Sequence, residues 1–125
     1  YADLLESHHE MKVDAPSGTA LSIAEAMIEG RGSRFEQNVA DLQTLPGTRG
    51  GDFEGINVHS ARMPGRVARH EVVFGALGQT LTMIHDSANR ESFMPGVMLG
   101  VKHVVNDTEL VVGLANVLGL GKSKP

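Results

Sequence analysis

Residues 56–86, INVHSARMPGRVARHEVVFGALGQTLTMIHD, set the sheet of this chain. Three runs rich in apolar and β-branched residues, 56–62, 68–76 and 79–86, are separated by Pro64-Gly65 and by Gly78, residue types that reverse a chain within a few positions. Consecutive strands with such short connections predict an antiparallel meander. In the third run Thr80, Thr82 and Ile84 alternate with Leu81, Met83 and His85, so neither face is wholly polar. The second face is therefore expected to meet a further surface, another subunit being one candidate.

Working outward toward the N-terminus, residues 2–6 form an apolar strand running directly into His8 and His9. The segment 8–19, HHEMKVDAPSGT, then leads into a helix whose apolar residues fall at 20, 23, 24, 27 and 28, one face at helical spacing, with Gly30 as the expected left-handed cap. Residues 31–55 contain RGSR and PGTRGGDFEG, and their glycines and proline predict a loop-rich insertion with at most a short helix around 38–42. On the C-terminal side, Pro95 and apolar residues at 97, 98, 101, 104 and 105 predict a second amphipathic helix ending at Asn106-Asp107, its apolar face covering the sheet. Residues 109–120 read as a short strand and turn, and 122–125 as a frayed tail.

The composition narrows the function classes. A chain of 125 residues fits one domain, and its first residue, Tyr1, directly before a strand, predicts that it begins inside a larger protein. The absence of cysteine removes disulfides, thiolate metal sites and a thiol nucleophile, and fits a reducing compartment, with the cytoplasm as the expected location. Apolar stretches such as 101–105 are broken by Lys102 and His103 and fall far short of the ~20 residues needed to span a bilayer, so no membrane partner is expected. A net charge of −4, scattered basic residues and only five aromatic rings, one Tyr and four Phe, argue against nucleic acid.

The chemistry concentrates at residues 8–19. Histidine titrates near neutrality and can deliver a proton to a developing carbanion or enamine, while the ammonium of Lys12 can hold a carboxylate. Ser17, Gly18 and Thr19 stand where a helix begins, with unpaired N–H groups and the positive end of the helix dipole. Such a turn is often only a helix cap, but the neighbouring His8, His9 and Lys12 favour a site for a small polyanion. A metal centre would draw on His8, His9, Glu6 and Asp14. The HExxH pattern fails, however, because Val13 stands where the second histidine belongs, and Lys12 would repel a cation, so no metal is expected. His59, His70, His85 and His103 are assigned no role. Arg90 and Phe93 lie between the last strand and the Pro95 helix, where a cation and a ring could meet an anionic, flat ligand, though each alone is an ordinary surface or core residue. The segment PGTRGGDFEG matches neither the Walker A nor the GxGxxG spacing.

The run from Glu6 to Ala20, ESHHEMKVDAPSGTA, closely resembles the signature of the 4-hydroxy-tetrahydrodipicolinate reductases, the dihydrodipicolinate reductases of bacterial lysine and diaminopimelate biosynthesis. Arg69-His70-Glu71, the stretch from His85 to Arg90, Phe93 and Pro95-Gly96 extend the resemblance in order over nearly the whole chain. It implies an α+β domain: a mixed, largely antiparallel sheet of about four strands, helices on one face and the open face forming an oligomer interface. Residues 1–125 would be the C-terminal substrate-binding and tetramerisation domain of a homotetramer, lacking the N-terminal Rossmann domain that carries most of the NADH or NADPH contacts and therefore inactive alone. The resemblance makes His8 the general acid and Lys12 its assistant and a carboxylate ligand. It assigns His9, Ser17, Gly18 and Thr19 to a small dicarboxylate substrate, and Arg90 and Phe93 to the cofactor side. Two rival readings are a non-catalytic oligomerisation module and a metal-dependent hydrolase.

Overall fold

Strand β1, Ala2–His8, alternates along its length, with Ala2, Leu4, Glu6 and His8 buried and the residues between them more accessible. That period of two places one face of β1 under a helix. The computed structural model describes residues 1–37 and 42–120, and the chain divides into two compact units, Tyr1–Ala88 and Asn89–Pro125.

In the first unit β1 is followed by helix α1 (Gly18–Arg31) and strands β2 (Gly51–Phe53), β3 (Ile56–Arg62), β4 (Ala68–Ala76) and β5 (Gln79–Ser87). The sheet order is β2-β3-β1-β4-β5. The predicted three-strand meander is corrected: β1 inserts between β3 and β4, parallel to the former and antiparallel to the latter. Only β4 and β5 form the expected hairpin, turned at Gly78 with φ of 73°. The parallel β1–β3 pair requires a long crossover, and the connection that contains α1 supplies it. Where β3 leaves the sheet, Met63 N–H donates to the His8 carbonyl at 3.0 Å and closes the end of β1.

The core lies between α1 and this sheet. Leu4 and Ile56 are wholly buried and meet Val58, Val72 and Phe35. Ala20 and Ala24 supply the small side chains that let the helix lie close to the strands. Full burial of a residue such as Leu4 contributes about 1.5–3 kcal/mol. Ser17 caps α1, its Oγ accepting from Ala20 N–H at 3.1 Å. The C-cap is Gly32 rather than the expected Gly30. It takes the left-handed conformation and donates its N–H to the Ile28 and Glu29 carbonyls, because the last turn continues past the final apolar position on its exposed side.

Strand β2 lies inside the segment read as loop, since three residues are too few to show a period. Gly55 ends the β2–β3 turn at φ of 85°, and a Cβ there would stand 2.0 Å from the Phe35 carbonyl oxygen, so only glycine fits. Of the short helix expected around 38–42, residues 38–41 lie outside the described residues, as does the tail at 122–125, and Leu42 is not helical.

The second unit opens with a 3-10 turn (Arg90–Phe93), followed by helix α2 (Met94–Val104) and a one-turn helix α3 (Leu114–Val117). The Pro95 helix forms as predicted, and no residue of α2 is buried. The strand expected within 109–120 is instead α3, bracketed by Gly113 and Gly119 at positive φ. Leu114 Cδ2 would lie 3.0 Å from a Cβ at Gly96, so α2 and α3 approach closely there. Among the described residues no helix is long and apolar enough to cross a membrane.

Candidate active site

The register of the sheet builds a polar cluster from residues far apart in sequence. Glu6 on β1 pairs with Ser60 on β3 and His70 on β4, and His8 pairs with Arg62 on β3. All lie near the end of β1 that feeds α1. Glu6 is buried with no exposed side-chain area, a charged group that needs partners. Arg62 supplies a two-pronged contact, Nη1 to Oε2 at 2.9 Å and Nη2 to Oε1 at 2.8 Å. His8 Nδ1 stands 2.5 Å from Oε2, and Ser17 N–H donates to Oε1 at 3.3 Å. Burial raises the Glu6 pKa, but hydrogen bonds from Arg62, Ser60 and His8 outweigh it and bring the pKa from 4.5 down to about 2. The carboxylate is therefore ionised at any physiological pH.

A second imidazole completes the cluster. His70 packs edge-on against His8 with ring centroids 5.3 Å apart, and its Nε2 lies 3.3 Å from Ser17 Oγ. Burial, then the adjacent His8, pushes the His70 pKa down, so this ring is held neutral. Ser17 Oγ is thus engaged by both Ala20 N–H and His70. Gly18 and Thr19 lie exposed at the first turn of α1, with no atom within 4 Å of where a Gly18 Cβ would be.

Lys12 lies on the loop between β1 and α1, which turns through a hydrogen bond from Lys12 N–H to the His9 carbonyl at 3.1 Å. Its Nζ pairs with Asp14 Oδ1 at 2.7 Å, and this contact lowers the Asp14 pKa. Arg62 Nη2 also donates to the Asp14 carbonyl, so the guanidinium that holds Glu6 also ties down the loop carrying Lys12. His9 follows the strand end, partly exposed. A groove of about 550 Å³ opens beside Pro16 and Ser60, lined by Leu21, Phe53 and Val58.

Of the residues singled out from sequence, the structure joins His8 and Ser17 through Glu6. It sets Lys12 and His9 on the adjoining loop and Gly18 and Thr19 at the helix start. Arg90 and Phe93 belong to the second unit, both exposed on its 3-10 turn. Sequence reasoning missed Glu6 as a partner of His8, Arg62, and His70, which it had assigned no role. Glu6 was within reach, because two residues along a strand share a face. Arg62 and His70 carried no such signal, since only the β1–β3 and β1–β4 registers bring them to the site. Among the described residues no group of three or more His, Asp, Glu or Cys side chains could hold a metal ion.

Fold and cluster together define an α+β domain with a buried, carboxylate-paired histidine beside a helix N-terminus. The chain belongs to the family described as dihydrodipicolinate reductase, C-terminus, which matches residues 2–118. It is 49% identical over 116 residues to a 4-hydroxy-tetrahydrodipicolinate reductase of Shouchella clausii, covering 93% of this chain and 44% of the relative. An Enterococcus faecalis relative of the same name is 47% identical, with 93% of this chain and 45% of the relative covered. A solved structure described as dipicolinate-bound dihydrodipicolinate reductase from Paenisporosarcina sp. TG-14 superposes with a TM-score of 0.79 at 43% identity, covering 92% of this chain and 43% of that one. The chain thus spans less than half the length of these relatives.

The low pKa of Glu6 makes stability depend on acid. A carboxylate that titrates at about 2 when folded and near 4.5 when unfolded stabilises the fold fully above about pH 4.5, and this contribution is lost as pH falls toward 2. Urea unfolding midpoints measured from pH 6 to pH 2 should fall across that window. Glu6→Gln should flatten the dependence, and an unchanged slope in the variant would assign the acid sensitivity to other groups.

Proposed function

We propose that residues 1–125 are the C-terminal substrate-binding and tetramerisation domain of a cytoplasmic, NAD(P)H-dependent 4-hydroxy-tetrahydrodipicolinate reductase, which works with an N-terminal Rossmann domain to form tetrahydrodipicolinate in lysine and diaminopimelate biosynthesis. The observation that carries this reading is His8, a proton-transfer group paired with a buried carboxylate near the exposed residues Gly18 and Thr19 of the helix start. That juxtaposition suits protonation of a substrate whose carboxylate rests on the helix start. The family match and the dipicolinate-bound state of the solved relative support a planar dicarboxylate.

In this reading one substrate carboxylate sits at Gly18 and Thr19, with His9 and the Ser17 cap beside it. Another takes the place of Asp14 on Lys12 Nζ. The nicotinamide cofactor supplies a hydride. His8 supplies the proton from Nε2, the ring nitrogen not engaged by Glu6, and Lys12 holds positive charge against the developing negative charge. Arg90 and Phe93 have the chemistry to touch an anionic, aromatic cofactor. No glycine-rich dinucleotide cradle occurs in this sequence, so these two residues supplement binding by another domain, and the chain alone does not reduce substrate. The exposed apolar residues of β5, Leu81, Met83 and Ile84, support a homotetramer assembled through the sheet.

In the full-length reductase, His8→Gln should lower kcat by about 10²–10⁴-fold, and Lys12→Ala should reduce kcat and raise KM together. Near-normal turnover in His8→Gln would place the proton source elsewhere. Titrating this chain with pyridine-2,6-dicarboxylate should move the backbone amide NMR signals of Gly18 and Thr19 first. Shifts confined to distant basic residues such as Arg31 and Arg34 would instead mean unspecific attraction to surface charge. Light scattering at micromolar concentrations should give the mass of an oligomer, and a monomer throughout would remove the interface.

A further inference from the structure

The buried carboxylate of Glu6 neither gives nor takes the proton in the scheme above, yet it meets His8, Ser17, Ser60 and Arg62. Ionised, it can only accept hydrogen bonds, so the short contact to His8 requires a proton on Nδ1 in both charge states of the ring. Nε2 is then the nitrogen that gains and loses the mobile proton. Arg62 grips both oxygens of Glu6 in a fixed plane, and two-pronged geometry of this kind resists rotation of the carboxylate. The same carboxylate accepts from Ser17 N–H, and Ser17 starts the helix turn that carries Gly18 and Thr19.

We propose that Glu6, locked by Arg62, is the positioning residue of this site, holding His8 as the Nδ1–H tautomer with Nε2 turned to the substrate and tying that ring to the anion-binding turn. The inference rests on His8 being the proton donor. On protonation of the substrate carbon, His8 loses only its Nε2 proton, the new C–H bond takes the pair of electrons that the reduced substrate offers, and the Nδ1–H bond to Glu6 persists through the step. The charged and titratable groups around the ring are Glu6 on β1, which contacts it, and His70 on β4, which packs on it edge-on, with Arg62 on β3 gripping Glu6 and with His85 on β5 and Lys12 on the loop acting on His70.

The test combines imidazole ¹⁵N NMR with steady-state kinetics on the full-length reductase. The wild-type protein should show neutral His8 protonated at Nδ1 and bare at Nε2, and the Nε2–H form there would overturn the proposal without any variant. Glu6→Gln should mix the two tautomers and lower kcat by about 10²-fold, the scale of a misplaced reacting group, while KM for the substrate changes little. Wild-type kcat together with an unmixed tautomer in that variant would overturn the proposal as well. Should the unpaired Arg62 prevent folding, the double variant Glu6→Gln, Arg62→Met removes the stranded cation and is read by the His8 tautomer alone, because Arg62 also holds the Lys12 loop; an unmixed tautomer there overturns the proposal. If His8→Gln retains turnover, the reading of His8 as donor fails, while the tautomer measurement still decides whether Glu6 positions the ring.

Discussion

The site depends on one buried negative charge. Glu6 has no solvent-exposed side-chain area, and a carboxylate stripped of water is tolerated only when hydrogen-bonded and paired. Arg62, His8, Ser60 and the Ser17 N–H answer that demand from β3, β1 and the start of α1. Removing one partner of such a pair typically costs about 3–5 kcal/mol, a large share of the stability of a small domain. The charge therefore constrains the strand register around it: a slip of one residue would turn Glu6, and His8 with it, to the opposite face.

The same contacts tie the loop after β1 and the start of α1 to the sheet. Arg62 reaches from Glu6 to the Asp14 carbonyl, so the loop that carries Lys12 is held by the residue that holds the carboxylate. Ser17 is fixed through its N–H to Glu6 and through its hydroxyl to Ala20 and His70. Beside this frame Gly18 and Thr19 are exposed and Lys12 is partly exposed, while His8 is buried. Groups that bind or transfer protons act best when held by contacts of their own, and here those contacts come from strand ends and a helix cap rather than from a free loop.

The local elements were legible from residues 2–31 and 68–105 because each carries its own periodicity and punctuation. Strand β1, helix α1, the β4–β5 hairpin and helix α2 follow from alternation, helical spacing, Gly78 and Pro95. Their errors share a cause. Helix α1 caps at Gly32 rather than Gly30 because its last turn runs on along the exposed side, where apolar spacing gives no signal, and β2, three residues long, shows no period.

The amino-acid order by itself determined the family and the local residue set: two histidines, a lysine and a Ser-Gly-Thr helix start within twelve residues, a composition without cysteine or a basic stripe, and a resemblance that the family match bears out. Only the tertiary structure decided that β1 lies between β3 and β4, and hence that Arg62 and His70 stand beside His8. The reason is physical. A strand's alternation specifies which of its faces is buried but not which strands flank it, and the partners of a buried charge are chosen by long-range pairing that no local window contains.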